Sequence, residues 1–293
     1  MSAVARAGAG VNNIPVPEFT KKGIVVFNTP GANANAVKEL IASALFMASR
    51  DIFGGMNYVQ GLTDITDGAE MSKLLEKQKK QFAGCEVAGK TLGVVGLGAI
   101  GSMVANMALE LGMNVVGYDP AISVEAAWRL SSDVEKMENL QSLLGRADFI
   151  TLHVPALEVT RHLINAEALQ CMKSSAILLN FAREEVVDAS AVQNALDNGG
   201  LGKYVTDFPT PELLGRDNVL LMPHIGASTE EAEENCAMMA ADQLMDYLEN
   251  GNIVNSVNFP ATKMPRNCGY RITFCNENVP KVLGNVLSLL ADR

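Results

Sequence analysis

From Lys90 onward, short apolar runs recur along the chain, each followed by a longer stretch of mixed character. Thr91–Val95, Asn114–Tyr118, Phe149–His153, Ile177–Asn180, Lys203–Thr206 and Val219–Met222 are strand-length and largely apolar on successive positions. Strands that are apolar on both faces belong to parallel sheets covered on both sides by helices. A helical run follows the first strand to Leu111, and Asn139–Leu144, Ala166–Met172 and Ala189–Leu196 read as further helices. The last is stopped by Asn198-Gly199-Gly200. This alternation predicts an α/β fold, a doubly wound parallel sheet of the Rossmann type.

Upstream, Ala36–Arg50 has few charges and is expected as a buried helix after a small polar start at Gly31-Ala-Asn-Ala-Asn. Downstream, a long amphipathic helix is expected from Ser228 to about Glu249, with Ser228 as cap and Glu231 as the capping-box acid. Asn250-Gly251-Asn252 ends it, Pro260 to Pro265 reads as a linker, and Tyr270–Phe274 and Pro280–Leu290 read as one strand and one helix.

At 293 residues, 48% hydrophobic and 19% charged, the chain suits two globular domains. No signal segment is evident and no apolar run is long enough for a bilayer, so a cytoplasmic protein without membrane contact is expected. Its five scattered cysteines lack the paired spacing of a zinc site or a disulfide framework, which predicts reduced thiols and no metal. A net charge of −10 speaks against nucleic acid. It also means that an anionic substrate needs specific local cations.

Gly96-Leu-Gly98-Ala-Ile-Gly101 fits G-x-G-x-x-G, and its context strengthens the match. It follows a strand, opens a helix, and precedes by about twenty residues a second strand ending at Asp119. Gly96 serves the turn, Gly98 lets the backbone approach a pyrophosphate, and Gly101 lets the helix press on the strand. Asp119 accepts from both ribose hydroxyls and repels a 2′-phosphate, which selects NAD over NADP. Hydride chemistry on a hydroxy acid also needs a cation for the carboxylate and a group titrating near neutrality. His224, just after Val219–Met222, is the strongest of three histidines. The alternatives are His153, next to a Val154-Pro155 wall beside the adenosine, and His162 in a surface turn. Arg183, beyond the end of Ile177–Asn180, offers a bidentate fork for a carboxylate unless Glu184 or Glu185 pairs it.

These residues carry a resemblance. GLGAIG, Tyr118-Asp119-Pro120, His153-Val-Pro155, Asn180-x-Ala-Arg183 and Pro223-His224-Ile-Gly-Ala-Ser-Thr229 resemble, in that order, the D-isomer-specific 2-hydroxyacid dehydrogenase family. Arg6-Ala-Gly-Ala-Gly-Val-Asn-Asn13 and the C-terminal segment are similar to its D-3-phosphoglycerate dehydrogenases. The resemblance implies NAD-dependent oxidation of 3-phosphoglycerate to 3-phosphohydroxypyruvate, toward L-serine, in a homodimer formed through the nucleotide-binding domains. Arg183 would hold the carboxylate and carbonyl, His224 would exchange the hydroxyl proton, and Glu212 would hydrogen-bond the imidazole. Asp207 would face the nicotinamide amide; a shifted alignment puts Thr206 and Pro211 in place of Asp207 and Glu212. Ala99, Ile100, Val154, Pro155, Phe181, Ala182, Gly226 and Ala227 would line the cofactor. Arg6, Ala9 and Gly10 would take the phosphate end. Glu184 stands where the family usually has glycine, and an acid beside Arg183 would blunt its charge unless it faces solvent. Lys79 and Lys80 would reach a neighbouring subunit or form a solvated basic stretch.

The resemblance also implies that residues 1–32 are a remnant of a flavodoxin-like substrate domain lacking its upstream strands. Residues 33–227 would form the NAD-binding domain, 228–260 a return helix, and 264–293 the opening of an ACT domain, with Asn276 and Asn278 matching effector contacts. So truncated, the chain would bind NAD with weak turnover or none. Other readings are a hydroxypyruvate, glyoxylate or lactate reductase of the same family, and an NAD-sensing corepressor.

Overall fold

The computed structural model describes residues 1–265, 271–276 and 279–291. The chain divides into two compact units, Met1–Ala32 with Glu233–Arg293, and Asn33–Ala232.

The first unit opens with β1 (Ala3–Ala5), α1 (Val16–Lys21) and β2 (Val25–Phe27). The two strands are parallel, Ala3 opposite Val25 and Ala5 opposite Phe27. The first strand is short, ending at Ala5. Gly8 takes a φ of 147° and the chain curls back, so that the Arg6 guanidinium donates to the Gly10 carbonyl.

The second unit begins with three helices, α2 (Ala34–Ser49), α3 (Ile52–Gln60) and α4 (Gly68–Gln78). The hydrophobic pattern did not reveal α3 and α4, but their caps are conventional. Asp51 accepts from the Gly54 N–H and Asp67 from the Glu70 N–H. There follow β3 (Thr91–Val95), α5 (Ala99–Glu110), β4 (Asn114–Tyr118), α6 (Val124–Arg129), β5 (Glu135–Lys136) and α7 (Leu140–Arg146). The unit continues with β6 (Phe149–Leu152), α8 (Ala166–Gln170), β7 (Ile177–Asn180), α9 (Ala189–Asp197), β8 (Lys203–Thr206) and β9 (Val219–Leu221).

These strands form one parallel sheet of seven in the order β5-β4-β3-β6-β7-β8-β9. Successive residues face opposite sides, as the two-residue period of a strand requires. Val95, Ile150 and Leu178 pack with Leu143, Leu144 and Val192 on one face. Leu92, Val94 and Leu179 pack with Ile41, Leu45, Val104 and Ala105 on the other. Burying each such side chain contributes about 1.5–3 kcal/mol. Chain order reverses between β3 and β6, so a crevice opens at their C-terminal ends.

The final helices are α10 (Glu230–Asn250) and α11 (Val282–Ala291). Thr229 caps α10, accepting from the Ala232 N–H at 3.1 Å. The expected Ser228 cap is displaced by one residue because the Ser228 N–H closes a turn onto the Ile225 carbonyl. With Thr229 as cap, the third helical residue is Ala232, and Glu231 forms no capping box. In the first unit, Val25, Phe27 and Ile253 make a small core with Leu244, Tyr247 and Phe259. The Phe27 and Tyr247 rings meet edge-on at 5.7 Å. Residues 271–276 carry no strand where one was expected over Tyr270–Phe274. Instead of a ladder partner, Arg271 finds the Asn250 carbonyl at 2.7 Å and the Asn252 side chain at 2.8 Å. Tyr270, Cys268 and Asn278 lie outside the described residues.

Candidate active site

The crevice between β3 and β6 is built by the glycine turn. Gly96 has a φ of 90°, and a Cβ there would lie 2.6 Å from the His153 carbonyl oxygen. Only glycine combines that backbone with that approach. At Gly101 a Cβ would fall 1.9 Å from the Gly96 carbonyl oxygen, so the first turn of α5 sits hard against the loop. Gly98, at the helix N-cap, has nothing within 4 Å of a Cβ position. That space and the helix N-terminus together suit a phosphate. Asp119, at the end of β4, accepts from the Leu97 N–H at 2.8 Å and the Ala121 N–H at 2.9 Å. It therefore shapes the turn, and its remaining lone pairs leave room for ribose hydroxyls. The residues fit a dinucleotide.

His153 borders the same crevice, with Nε2 3.0 Å from the Thr151 hydroxyl. Burial of its ring pushes its pKa down to about 3, which keeps it neutral near pH 7. His162 lies in an exposed turn at a φ of 47°, its N–H bonded to the Glu185 carbonyl.

Arg183 and His224 follow the C-termini of β7 and β9, which flank β8. Two strand spacings separate them, roughly 10 Å between axes. Asn180, fully buried at the end of β7, donates to the Arg183 carbonyl at 2.9 Å and accepts from the Ala182 N–H at 3.1 Å. The Arg183 guanidinium donates one N–H to the Ala182 carbonyl at 2.6 Å. Among the described residues it pairs with neither Glu184 nor Glu185, both of which are exposed. Its fork keeps donors for a carboxylate.

His224 is exposed and adopts a φ of 57°, a left-handed conformation that costs on the order of 1–3 kcal/mol unless its surroundings impose it. Its ring lies against Phe208, centroids 5.0 Å apart at 60°, a neighbour for which the sequence carried no signal. The imidazole makes no hydrogen bond among the described residues. In particular, Glu212 does not reach it. Glu212 sits exposed on a short turn, Pro211–Leu213, whose Leu213 is buried in the core. Its carboxyl is held below the usual range first by its own backbone N–H and then by the Thr210 hydroxyl. Asp207 is buried, with both oxygens engaged by the Ile225 and Gly226 N–H groups. Of the shifted pair, Thr206 is buried and bonds the Asn180 carbonyl, while Pro211 is exposed.

In the first unit, the loop Gly8–Gly10 wraps the half-buried Arg6. Thr29 accepts from the Gly8 N–H at 2.7 Å and Asn28 donates to the Ala9 carbonyl at 2.7 Å. The Ala9 and Gly10 N–H groups make no hydrogen bond among the described residues. Lys79 pairs with Glu76 on the surface, where such pairs contribute little.

A family model described as "D-isomer specific 2-hydroxyacid dehydrogenase, NAD binding domain" matches residues 55–226. The chain belongs to the D-isomer specific 2-hydroxyacid dehydrogenase family. Within the family it is 38% identical over 301 positions to a D-3-phosphoglycerate dehydrogenase of Methanocaldococcus jannaschii, covering all of this chain and 53% of that protein. A hydroxypyruvate reductase of Thermotoga maritima is 36% identical, over 85% of this chain and 78% of the relative. Among solved structures, an NAD+-bound 3-phosphoglycerate dehydrogenase of Entamoeba histolytica superposes with a TM-score of 0.69 at 29% identity, covering 88% of this chain and 75% of that one. The chain spans about half the length of the curated D-3-phosphoglycerate dehydrogenases it matches. Among the described residues, no helix is long and apolar enough to cross a membrane, and no group of His, Cys, Asp and Glu is arranged to hold a metal.

Proposed function

We propose that this dehydrogenase oxidises 3-phospho-D-glycerate to 3-phosphohydroxypyruvate with NAD, as a step toward L-serine in the cytoplasm. The observation that carries the reading is that Arg183 and His224 each follow the C-terminus of a parallel strand, at the same sheet edge as the Gly96–Gly101 turn. Bound NAD supplies the hydride acceptor. The Arg183 fork takes the substrate carboxylate and polarises the developing carbonyl, while the His224 imidazole accepts the hydroxyl proton. Gly98 and the N-terminus of α5 receive the pyrophosphate, and Asp119 the adenosine ribose. Arg6 and the free Ala9 and Gly10 amides are assigned to the substrate phosphate. Glu212 is retained only as a group that would have to swing toward His224 on ligand binding.

The Thermotoga maritima relative favours a second reading, reduction of hydroxypyruvate. Steady-state rates with 3-phosphoglycerate and with glycerate separate the two, since only the first engages a phosphate site. Equal kcat/KM for both acids, or a preference for glycerate, would replace the first reading with the second.

For assembly, Ile52, Phe53, Met56 and Val59 leave an apolar face on α3 exposed. We assign it to a homodimer formed through the nucleotide-binding units. A monomer by light scattering at micromolar concentration would refute that assignment.

A further inference from the structure

We infer that Gln243 is a positioning residue for the loop Gly8–Gly10, which it holds through Asn28. The inference rests on reading Arg6 and the free Ala9 and Gly10 amides as the seat of the substrate phosphate.

Gln243 shares one face of α10 with Ala240, Leu244 and Tyr247, which recur at helical spacing. Leu244 and Tyr247 pack there with Val25, Phe27 and Ile253. At 9% exposed, Gln243 is a buried amide in an otherwise apolar stripe. Its Nε2 donates to the Met239 carbonyl, one turn earlier, at 3.0 Å and to the Asn28 carbonyl at 3.1 Å. Its Oε1 finds no donor among the described residues. Turning the amide over would set that oxygen against two carbonyl oxygens, so the orientation is fixed. A buried carbonyl oxygen without a donor costs stability, and an apolar side chain of the same length would avoid that cost.

The hold on Asn28 explains the amide. The Asn28 side chain donates to the Ala9 carbonyl at 2.7 Å, and its backbone N–H donates to the Asn255 carbonyl at 3.3 Å. Thr29, fully buried, closes on Gly8 in both directions. Its hydroxyl accepts from the Gly8 N–H at 2.7 Å and its N–H donates to the Gly8 carbonyl at 3.0 Å. The Gly10 carbonyl accepts from Arg6. All three loop carbonyls are therefore tied back, by Thr29, Asn28 and Arg6 in turn. The Ala9 and Gly10 N–H groups make no hydrogen bond among the described residues. A loop with its carbonyls engaged and two successive amides open offers only donors to an anion.

Gln243→Met keeps the length and helix propensity of the side chain and removes the donor. In the parent, titration with 3-phosphoglycerate should shift the amide resonances of Ala9 and Gly10. In the variant, affinity for 3-phosphoglycerate should fall about tenfold, and the Gly8 amide should exchange at least about tenfold faster. NADH affinity should stay within about twofold and affinity for glycerate, which lacks the phosphate, within about threefold. Tm should hold within about 3 °C, because the orphaned oxygen leaves together with the donor. Asn28→Ala breaks the next link and should weaken 3-phosphoglycerate binding likewise; the two substitutions together should cost no more than the larger alone. Parent-like affinity and Gly8 exchange in Gln243→Met would overturn the inference. Equal losses for both acids would also overturn it, by making Gln243 a general support of the fold. If Gln243→Met does not fold, parent-like 3-phosphoglycerate affinity in Asn28→Ala would overturn it. Ala9 and Gly10 amides that ignore 3-phosphoglycerate in the parent would remove the reading beneath the inference, while Gly8 exchange would separately report whether Gln243 holds the loop.

Discussion

Alanine at Gly101 and alanine at Gly98 separate the two demands made on the glycine turn. A Cβ on Gly101 would lie 1.9 Å from the Gly96 carbonyl oxygen and 3.4 Å from the His153 Cβ. Comfortable carbon–oxygen contact begins at roughly 3.3 Å, so the first turn of α5 must retreat by more than about 1 Å. The retreat disturbs Val104, Ala105 and Ala108, which are buried against the sheet. Overpacking of this kind costs about 1–3 kcal/mol, and a unit of this size loses roughly 2–4 °C of Tm per kcal/mol. The helix amides would also stand about 1 Å further from a bound phosphate, which should weaken NADH binding at least about tenfold.

Gly98→Ala should behave differently. Its Cβ meets nothing within 4 Å, and a φ of −66° suits any residue. Tm should hold while NADH affinity falls about tenfold or more, because the methyl group occupies the approach to the pyrophosphate. Thermal melts give the first quantity, and energy transfer from Trp128, the single tryptophan, to NADH gives the second. The reasoning fails if Gly101→Ala melts and binds like the parent, or if Gly98→Ala loses stability and keeps its affinity.

Asp119→Ala should raise NADPH affinity relative to NADH at least about tenfold, and unchanged discrimination in a titration of both would contradict its assigned role. Asn180→Ala strips two bonds from the Arg183 loop. It should cost about 1–3 kcal/mol in urea titrations and raise KM for the acid substrate; parent-like values would show that the clamp is idle. His153 supplies a pH test. Unfolded, its imidazole gains a proton below about 6.5, but the folded protein resists protonation until about 3. Native stability should therefore decline as pH falls through that window and be insensitive to this group above it. His153→Gln should flatten that decline, and identical slopes would mean that the ring is not held neutral.

The parallel sheet was legible because its strands are apolar on both faces. Thr91–Val95, Asn114–Tyr118, Ile177–Asn180 and Lys203–Thr206 have the bounds that their sequence pattern implies. The two-residue strand Glu135–Lys136 was not, since an exposed edge pair of charged residues has no hydrophobic signature. Helices α3 and α4 escaped for a related reason. Neither has a buried residue: α4 is mostly polar, and the Gly54-Gly55 pair lowers the helix propensity of α3 beside its apolar positions. At the site, glycine spacing and strand ends pointed to Gly96–Gly101, Asp119, Arg183 and His224. What the sequence hid were side chains that act on backbone, such as Asn180 and Asp207, whose bonds depend on which strand ends become neighbours. Glu212 keeps the spacing from Asp207 that the resemblance implies, and a count of residues does not register how Pro209 and Pro211 restrict the backbone between them.

The most direct test of the account is the rate of NADH formation from 3-phosphoglycerate by the protein and by its His224→Ala variant, with NADH affinity measured on both. The account predicts a loss of about a hundred- to ten-thousandfold in turnover with cofactor affinity unchanged, because the imidazole moves a proton and does not hold the dinucleotide. Turnover undiminished in the variant would contradict it.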